Sequence, residues 1–201
     1  NKVNNINYDH DTKVLLQQVC DEFTQAGVLG IPSEHNIQIQ HVSPAFLVRK
    51  QRAKNKPKAE LTTKDVRLVV NFGNLNDCLK NIPTPITKPK DIFIHLGRWK
   101  YIIVMDLFQG FFQNHMAKRD GQWLGISTPF GGLRFMQRSG QGLIGQSKEL
   151  DEMLSKVLSS EMQSGAVARI ADDLYIGGST PIETAKNYDN VLSKLKTANL
   201  K

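Results

Sequence analysis

The stretch Arg169–Gly178 reads RIADDLYIGG and sets two adjacent carboxylates, Asp172 and Asp173, inside an otherwise apolar run. AVARIA before the pair and LYIGG after it predict two strands, and the acids between them predict the tight turn of an antiparallel hairpin. Aspartate tolerates turn conformations, so the pair has a plain reading as turn formers. It has a second reading as half of a cation site completed by an acid from elsewhere. Neighbouring strand residues point to opposite faces, so Asp172 and Asp173 cannot be equivalent.

The candidate third acid is Asp106. It ends YIIVMD (101–106), a continuous apolar run that reads as a strand buried on both faces. An acid at the end of such a strand is costly to desolvate unless a cation or a hydrogen-bond cluster compensates it. If this strand pairs beside the 166–176 hairpin, Asp106 and Asp172 converge at one sheet edge. Converging carboxylates repel unless a cation lies between them. Mg²⁺ suits that place, because it takes one or two carboxylates, keeps waters and accepts substrate phosphates as its other ligands. Two such ions can serve the attacking and leaving oxygens of a phosphoryl displacement.

Outward from these acids, DTKVLLQQVCDEFTQA (11–26) carries Leu16, Val19, Phe23 and Ala26 at helical spacing and is stopped by Gly27. VSPAFLVRK (42–50) and VRLVVNF (66–72) predict a hairpin around a long charged loop, and NIPTPITKP (81–89) a proline-punctuated connection. QWLGIST and PFGGLRFM predict another hairpin turning at Gly131-Gly132. Leu150, Met153, Leu154, Val157 and Leu158 mark one helix, and Ala185, Tyr188, Val191, Leu192 and Leu195 a last one. Strands and helices interleave without the regular alternation of a parallel sheet, and the expected class is α+β.

Charge points the same way. The 201 residues carry a formal +7, which favours polyanionic partners, and Arg49–Lys58 (RKQRAKNKPK) has six basic positions in ten with no acid. That stretch reads either as a solvated loop or as a phosphate-contacting one. Two cysteines without metal-ligand spacing imply reduced thiols, and five scattered histidines form no zinc pattern. No apolar run approaches the roughly 20 residues of a membrane span, so no membrane partner is expected. The absence of a signal segment implies an intracellular protein, in a cytoplasmic particle or the nucleus. The first residue, Asn1, suggests a piece of a longer polypeptide.

VMDLFQGFFQ (104–113), RSGQGLIGQS (138–147) and RIADDLYIGG (169–178) resemble, in order and spacing, three central motifs of reverse transcriptases. SPAFLVRK and RLVVNFGNLN upstream resemble the fingers strands of the same family. The flavour is that of retroviral and long-terminal-repeat retrotransposon enzymes, and the resemblance runs from about Val42 to the C-terminus.

That resemblance implies a right-hand polymerase without its thumb. Fingers would occupy residues 1–80 and 114–145, and palm residues 81–113 and 146–201, with an antiparallel palm sheet backed by helices. It implies an RNA-directed DNA polymerase that joins a deoxynucleoside triphosphate to a primer 3′-hydroxyl. Asp106, the backbone carbonyl of Leu107, Asp172 and the supporting Asp173 would hold two Mg²⁺ ions, with Mn²⁺ as a substitute. Lys50 and Arg67 would grip the triphosphate, Phe111 would gate the sugar, and Gln141 and Gly142 would lie against the nucleotide. Ile170, Arg49 and Arg52 would face primer and template. Expected partners are an RNA template, a DNA primer, the nucleotide and the rest of a polyprotein: thumb, RNase H, and a protease and integrase as further candidates. The alternative is an inactive nucleic-acid-binding remnant of a degenerate element. Ile170 replaces the family's usual tyrosine, Gly140 a proline, Gln146-Ser147 a common Asn/Ala-Pro pairing, and Asn71 and Gly73 stand where many relatives are charged.

Overall fold

The computed structural model describes residues 8–80, 96–107, 110–130, 132–170 and 173–200. The expected connection at 81–89, the Gly131 half of the second turn and Asp172 lie outside those residues. The chain divides into two compact units, one of residues 1–80 and 115–146, the other of 81–114 and 147–201.

In the first unit, the helix His10–Gln25 starts where the Asp9 carboxylate accepts the Thr12 N–H (2.9 Å) and ends at Gly27, whose φ of +68° is left-handed. It buries Leu15, Leu16, Val19 and Cys20. Burial pushes the Cys20 thiol up to about 12, so it stays protonated as a small core hydrophobe. Two-residue strands β1 (Leu29–Gly30) and β2 (Val42–Ser43) flank the hairpin of β6 (Gly125–Thr128) and β7 (Gly132–Met136) in a sheet ordered β1-β7-β6-β2. The β2–β6 pairing is parallel, which makes this sheet mixed. A separate antiparallel hairpin pairs β3 (Ala45–Arg49) with β4 (Val66–Val70).

The second unit is built on an antiparallel sheet ordered β5-β9-β8, from Tyr101–Asp106, Asp173–Gly178 and Val167–Ile170. Its core joins Leu107, Val167, Leu174 and Ile176 to Leu150, Leu154 and Leu158 around the helix Gln146–Val157, and to Val191 and Leu195 of the helix Pro181–Thr197. On that last helix Thr184, Val191 and Leu195 are buried, whereas Ala185 and Leu192 are exposed.

One expectation is overturned. β5 is not buried on both faces: Tyr101 is 47%, Ile102 44% and Val104 56% exposed, and among the described residues the strand lies at the edge of its sheet. Ile103 and Met105, at alternate positions, are partly buried, and Met105 packs on the core. The sheet therefore has one covered face and one open face, and Asp106 falls in the exposed half of the alternation.

Candidate functional site

Register places the acids. Asp106 pairs with Asp173 across β5 and β9, and Asp173 pairs with Ile170 across β9 and β8. Residues directly opposite one another share a face, so Ile170, Asp173 and Asp106 form one row. The next rows on that face are Ala168–Tyr175–Val104 and then Gly177–Ile102. Opposed Cβ atoms in such pairs lie about 5 Å apart, a separation at which two carboxylates repel and a small cation between them fits. Asp106 is exposed and Asp173 half-buried. Among the described residues no three His, Cys, Asp or Glu cluster as a metal site, so the described acids are a pair. Asp172, expected as the direct partner of Asp106, is outside the described residues.

The strand end is held firmly. Leu107 is buried in the core cluster, which fixes the chain just past Asp106. On the covered face Arg169 forms an ion pair with Asp151, tying β8 to the helix behind it. On the open face Trp99 lies over Gly177 and donates its Nε1–H to the Gly165 carbonyl (3.0 Å). Phe111 falls in the short 3₁₀ turn Gly110–Gln113 that follows the acid.

The other predicted residues belong to the first unit. In the β3–β4 register Val48 stands opposite Arg67, and the Lys50 N–H continues the ladder to the Asp65 carbonyl (2.9 Å). Alternation puts Phe46, Val48 and Lys50 on one face with Val69 and Arg67, while Val66, Leu68 and Val70 are buried on the other. Lys50 and Arg67 are thus diagonal neighbours on the open face. Among the described residues their side chains have no hydrogen-bond or ion-pair partner.

The basic loop sorts its own charges. Arg49 donates to the carbonyls of Lys54 and Lys56 (3.4 and 2.8 Å), and Arg52 to that of Lys64 (2.6 Å). Lys58 pairs with Asp9, and Lys56 with Asp65 (2.8 Å). Arg49 and Arg52, expected at primer and template, therefore spend guanidinium donors on folding the loop, while among the described residues the Lys54 and Lys64 ammonium groups have no partner. Asp65 is the hub: it also accepts from the Thr62 N–H (3.0 Å) and hydroxyl (2.8 Å). The Lys56 ammonium, then the Thr62 groups, hold its carboxyl well below the usual carboxylate range. A lowered folded-state pKa means a tether complete above about pH 4 and lost only as pH falls through the lowered value. Asp65→Ala is expected to speed tryptic cleavage after Lys54 and Lys58 severalfold at neutral pH, read by peptide mapping, with unchanged helix content by circular dichroism; Lys56 is followed by Pro57 and is not a tryptic site.

Gln141 and Gly142 sit exposed in a turn where Gly142 has φ +98°, a conformation that excludes other residues at low cost. Asn76, which sequence reading did not single out, donates from Nδ2 to the Gly142 carbonyl (2.8 Å) and accepts the Ile144 N–H at Oδ1 (3.0 Å). Two departures from the family pattern have local reasons. Asn71 Oδ1 accepts the Gly73 N–H (3.0 Å), an Asx turn that opens the short helix Gly73–Asn76. A Cβ on Gly140 would lie 2.8 Å from Met136 Cε and 3.2 Å from Phe72 Cε2, so glycine suits the close packing there.

The fold is that of reverse transcriptases. The prototype foamy virus protease–reverse transcriptase matches with a TM-score of 0.74 over 96% of this chain and 23% of its own, at 18% identity. The foamy viral enzyme in complex with an RNA/DNA hybrid matches at 0.74 over 94% of this chain and 23% of its own, at 20% identity. In sequence, the chain is a homologue of a segment of retrovirus-related Pol polyproteins of transposons. It is 31% identical over 162 residues to that of transposon 412 of Drosophila melanogaster, covering 81% of this chain, and 31% identical over 186 residues to that of transposon opus of the same fly, covering 92%. The chain spans 12% and 17% of those relatives' lengths. No protein-family model matches it. Among the described residues no helix is long and apolar enough to cross a membrane.

Proposed function

We propose that this chain is the fingers and palm of an RNA-directed DNA polymerase of a retroelement, the first unit serving as fingers and the second as palm. The observation that carries the reading is the Ile170–Asp173–Asp106 row on the open face of the second unit's sheet. The division at 80/81, 114/115 and 146/147 supports the assignment of units. Kinship with transposon Pol polyproteins supports the substrates: an RNA or DNA template, a DNA primer and a deoxynucleoside triphosphate. The fold shared with a foamy viral enzyme solved on an RNA/DNA hybrid fits them.

Paired carboxylates facing water are a suitable donor set for Mg²⁺, which favours hard oxygen ligands and keeps part of its water shell. Asp106 and Asp173, with Asp172 and the Leu107 carbonyl, would hold two such ions. When bound, they supply charge neutralisation for the attacking primer oxygen and the departing pyrophosphate. The protein's own part is placement. Lys50 and Arg67 hold the triphosphate tail, Arg by its forked donors and Lys as a point charge. Ile170, beside Asp173, bears on the primer end in place of the usual ring. Phe111, five residues beyond Asp106, excludes a 2′-hydroxyl. The whole parent polypeptide supplies the remaining grip on the duplex.

The test is extension of a labelled DNA primer on an RNA template by the parent polypeptide in Mg²⁺ or Mn²⁺. Extension with deoxynucleotides is expected; cleavage of the primer would mean a nuclease, and binding without extension a remnant. In the same assay Phe111→Val is expected to raise ribonucleotide incorporation at least tenfold relative to deoxynucleotide, since an enlarged pocket removes a steric penalty of about 1.4 kcal/mol or more. Unchanged sugar discrimination would remove Phe111 from the site.

A further inference from the structure

The segment from β4 to Asn76 is joined to the Gln141–Gly142 turn at two points. Phe72 is buried and packs beneath Gly140, whose missing Cβ leaves room for the ring. Four residues on, the Asn76 amide grips the turn from both sides, donating to the Gly142 carbonyl and accepting from the Ile144 N–H. Leu75, also buried, stops the short helix from turning. Arg67, five residues before Phe72, lies on the strand that feeds this helix. Asn76 is half-buried and its side-chain oxygen and nitrogen are both engaged on one loop, while Gln141 is exposed. An amide so used makes a poor surface contact and a good brace, because a turn with a left-handed glycine is otherwise soft.

We propose that Asn76 is a positioning residue for the nucleotide subsite: it locks the Gln141–Gly142 turn in register with the Arg67 strand, so that Gln141 is presented in a fixed pose. This rests on the reading of Gln141 and Gly142 as nucleotide contacts. Asn76 itself touches no substrate; its effect runs through the turn. Asn76→Ala deletes both hydrogen bonds without adding bulk. Asn76→Asp keeps an acceptor for the Ile144 N–H and loses the donor to Gly142.

Two measurements on the parent polypeptide test it. Hydrogen exchange at the Ile144 amide is expected to quicken about tenfold in Asn76→Ala and much less in Asn76→Asp, as loss of a hydrogen bond of ordinary net strength implies. In primer extension the KM for deoxynucleotide is expected to rise about tenfold in Asn76→Ala with kcat within threefold, to be partly restored in Asn76→Asp, and to add little in a Gln141→Ala background. Faster exchange with an unchanged KM, while Gln141→Ala alone raises KM, would overturn the positioning role and leave the subsite standing. An unchanged KM in Gln141→Ala would overturn the subsite and this inference together. Unaltered exchange in Asn76→Ala would show that the turn is braced elsewhere.

Discussion

Asp106→Asn is expected to lower primer extension by the parent polypeptide on the order of a thousandfold or more, the scale on which removing a single preorganised electrostatic group acts. The change is isosteric and removes one charge from an exposed strand end, so the fold has no reason to suffer. It should gain slightly: Asp106 stands directly opposite Asp173, and like charges so placed destabilise a sheet in the absence of a cation. Melting in a chelator should therefore be unchanged or a little higher in the variant. Titration with Mg²⁺ should raise the melting temperature of the parent and not that of Asp106→Asn, because only the paired carboxylates bind the ion to the folded state. Primer–template binding and its salt dependence should persist, since phosphate contacts by lysine and arginine carry that affinity. Retained extension in Asp106→Asn would end the polymerase assignment of this acid. Lost extension with a melting transition lowered by several degrees would make it structural.

The difference between sequence and structure is instructive at this strand. YIIVMD reads as doubly buried because a short continuous apolar run fits a buried strand equally well whether one face or both are covered. What decides is the layer packed on each face, and the core meets β5 on the Met105 side while Ile102 and Val104 stay exposed. The hairpins and helices were legible, because period-2 and period-3.6 patterns and turn residues are local signals. The two-residue strand Leu29–Gly30 was not, because so few residues carry no periodicity, and Val42–Ser43, read as part of the 42–50 run, separates from β3 and pairs with β6 instead. The pairing of Asp106 with Asp173 depended on register, which no local pattern specifies. Cation roles in the basic loop were hidden for a similar reason. Arg49 and Arg52 look like Lys54 and Lys64 in a charge count, and only the folded loop shows that the arginines cap carbonyls. Asn76 gave a faint signal, a polar residue closing the quoted run RLVVNFGNLN, and Trp99 a stronger one, a large ring two residues before the acid-bearing strand.

Trp99 leads to the second large effect. A Cβ on Gly177 would fall 1.9 Å from Trp99 Cδ2 and 2.2 Å from Cγ, closer than any real contact, so Gly177→Ala must displace the indole. The ring cannot slide without cost, because its Nε1–H is held by the Gly165 carbonyl at 3.0 Å. Gly177 also pairs with Ile102, and its own backbone N–H bonds Ala166, so the strand cannot retreat instead. Overpacking and a lost hydrogen bond together imply a destabilisation of about 3 kcal/mol in the second unit. Denaturant unfolding should report it as an earlier midpoint at unchanged slope. Emission should report it too, since Trp123 is the only other tryptophan in the chain and is already 47% exposed, so a red shift in Gly177→Ala arises from Trp99. The decisive comparison is the double variant. Trp99→Ala removes the obstructing ring and is itself destabilising, but adding Gly177→Ala to it should then cost under about 1 kcal/mol, a strong non-additivity between contacting residues. Equal cost of Gly177→Ala with and without the indole would mean that the added methyl meets an obstacle other than Trp99, and that the ring over β9 plays no part in holding the face that carries Asp106 and Asp173.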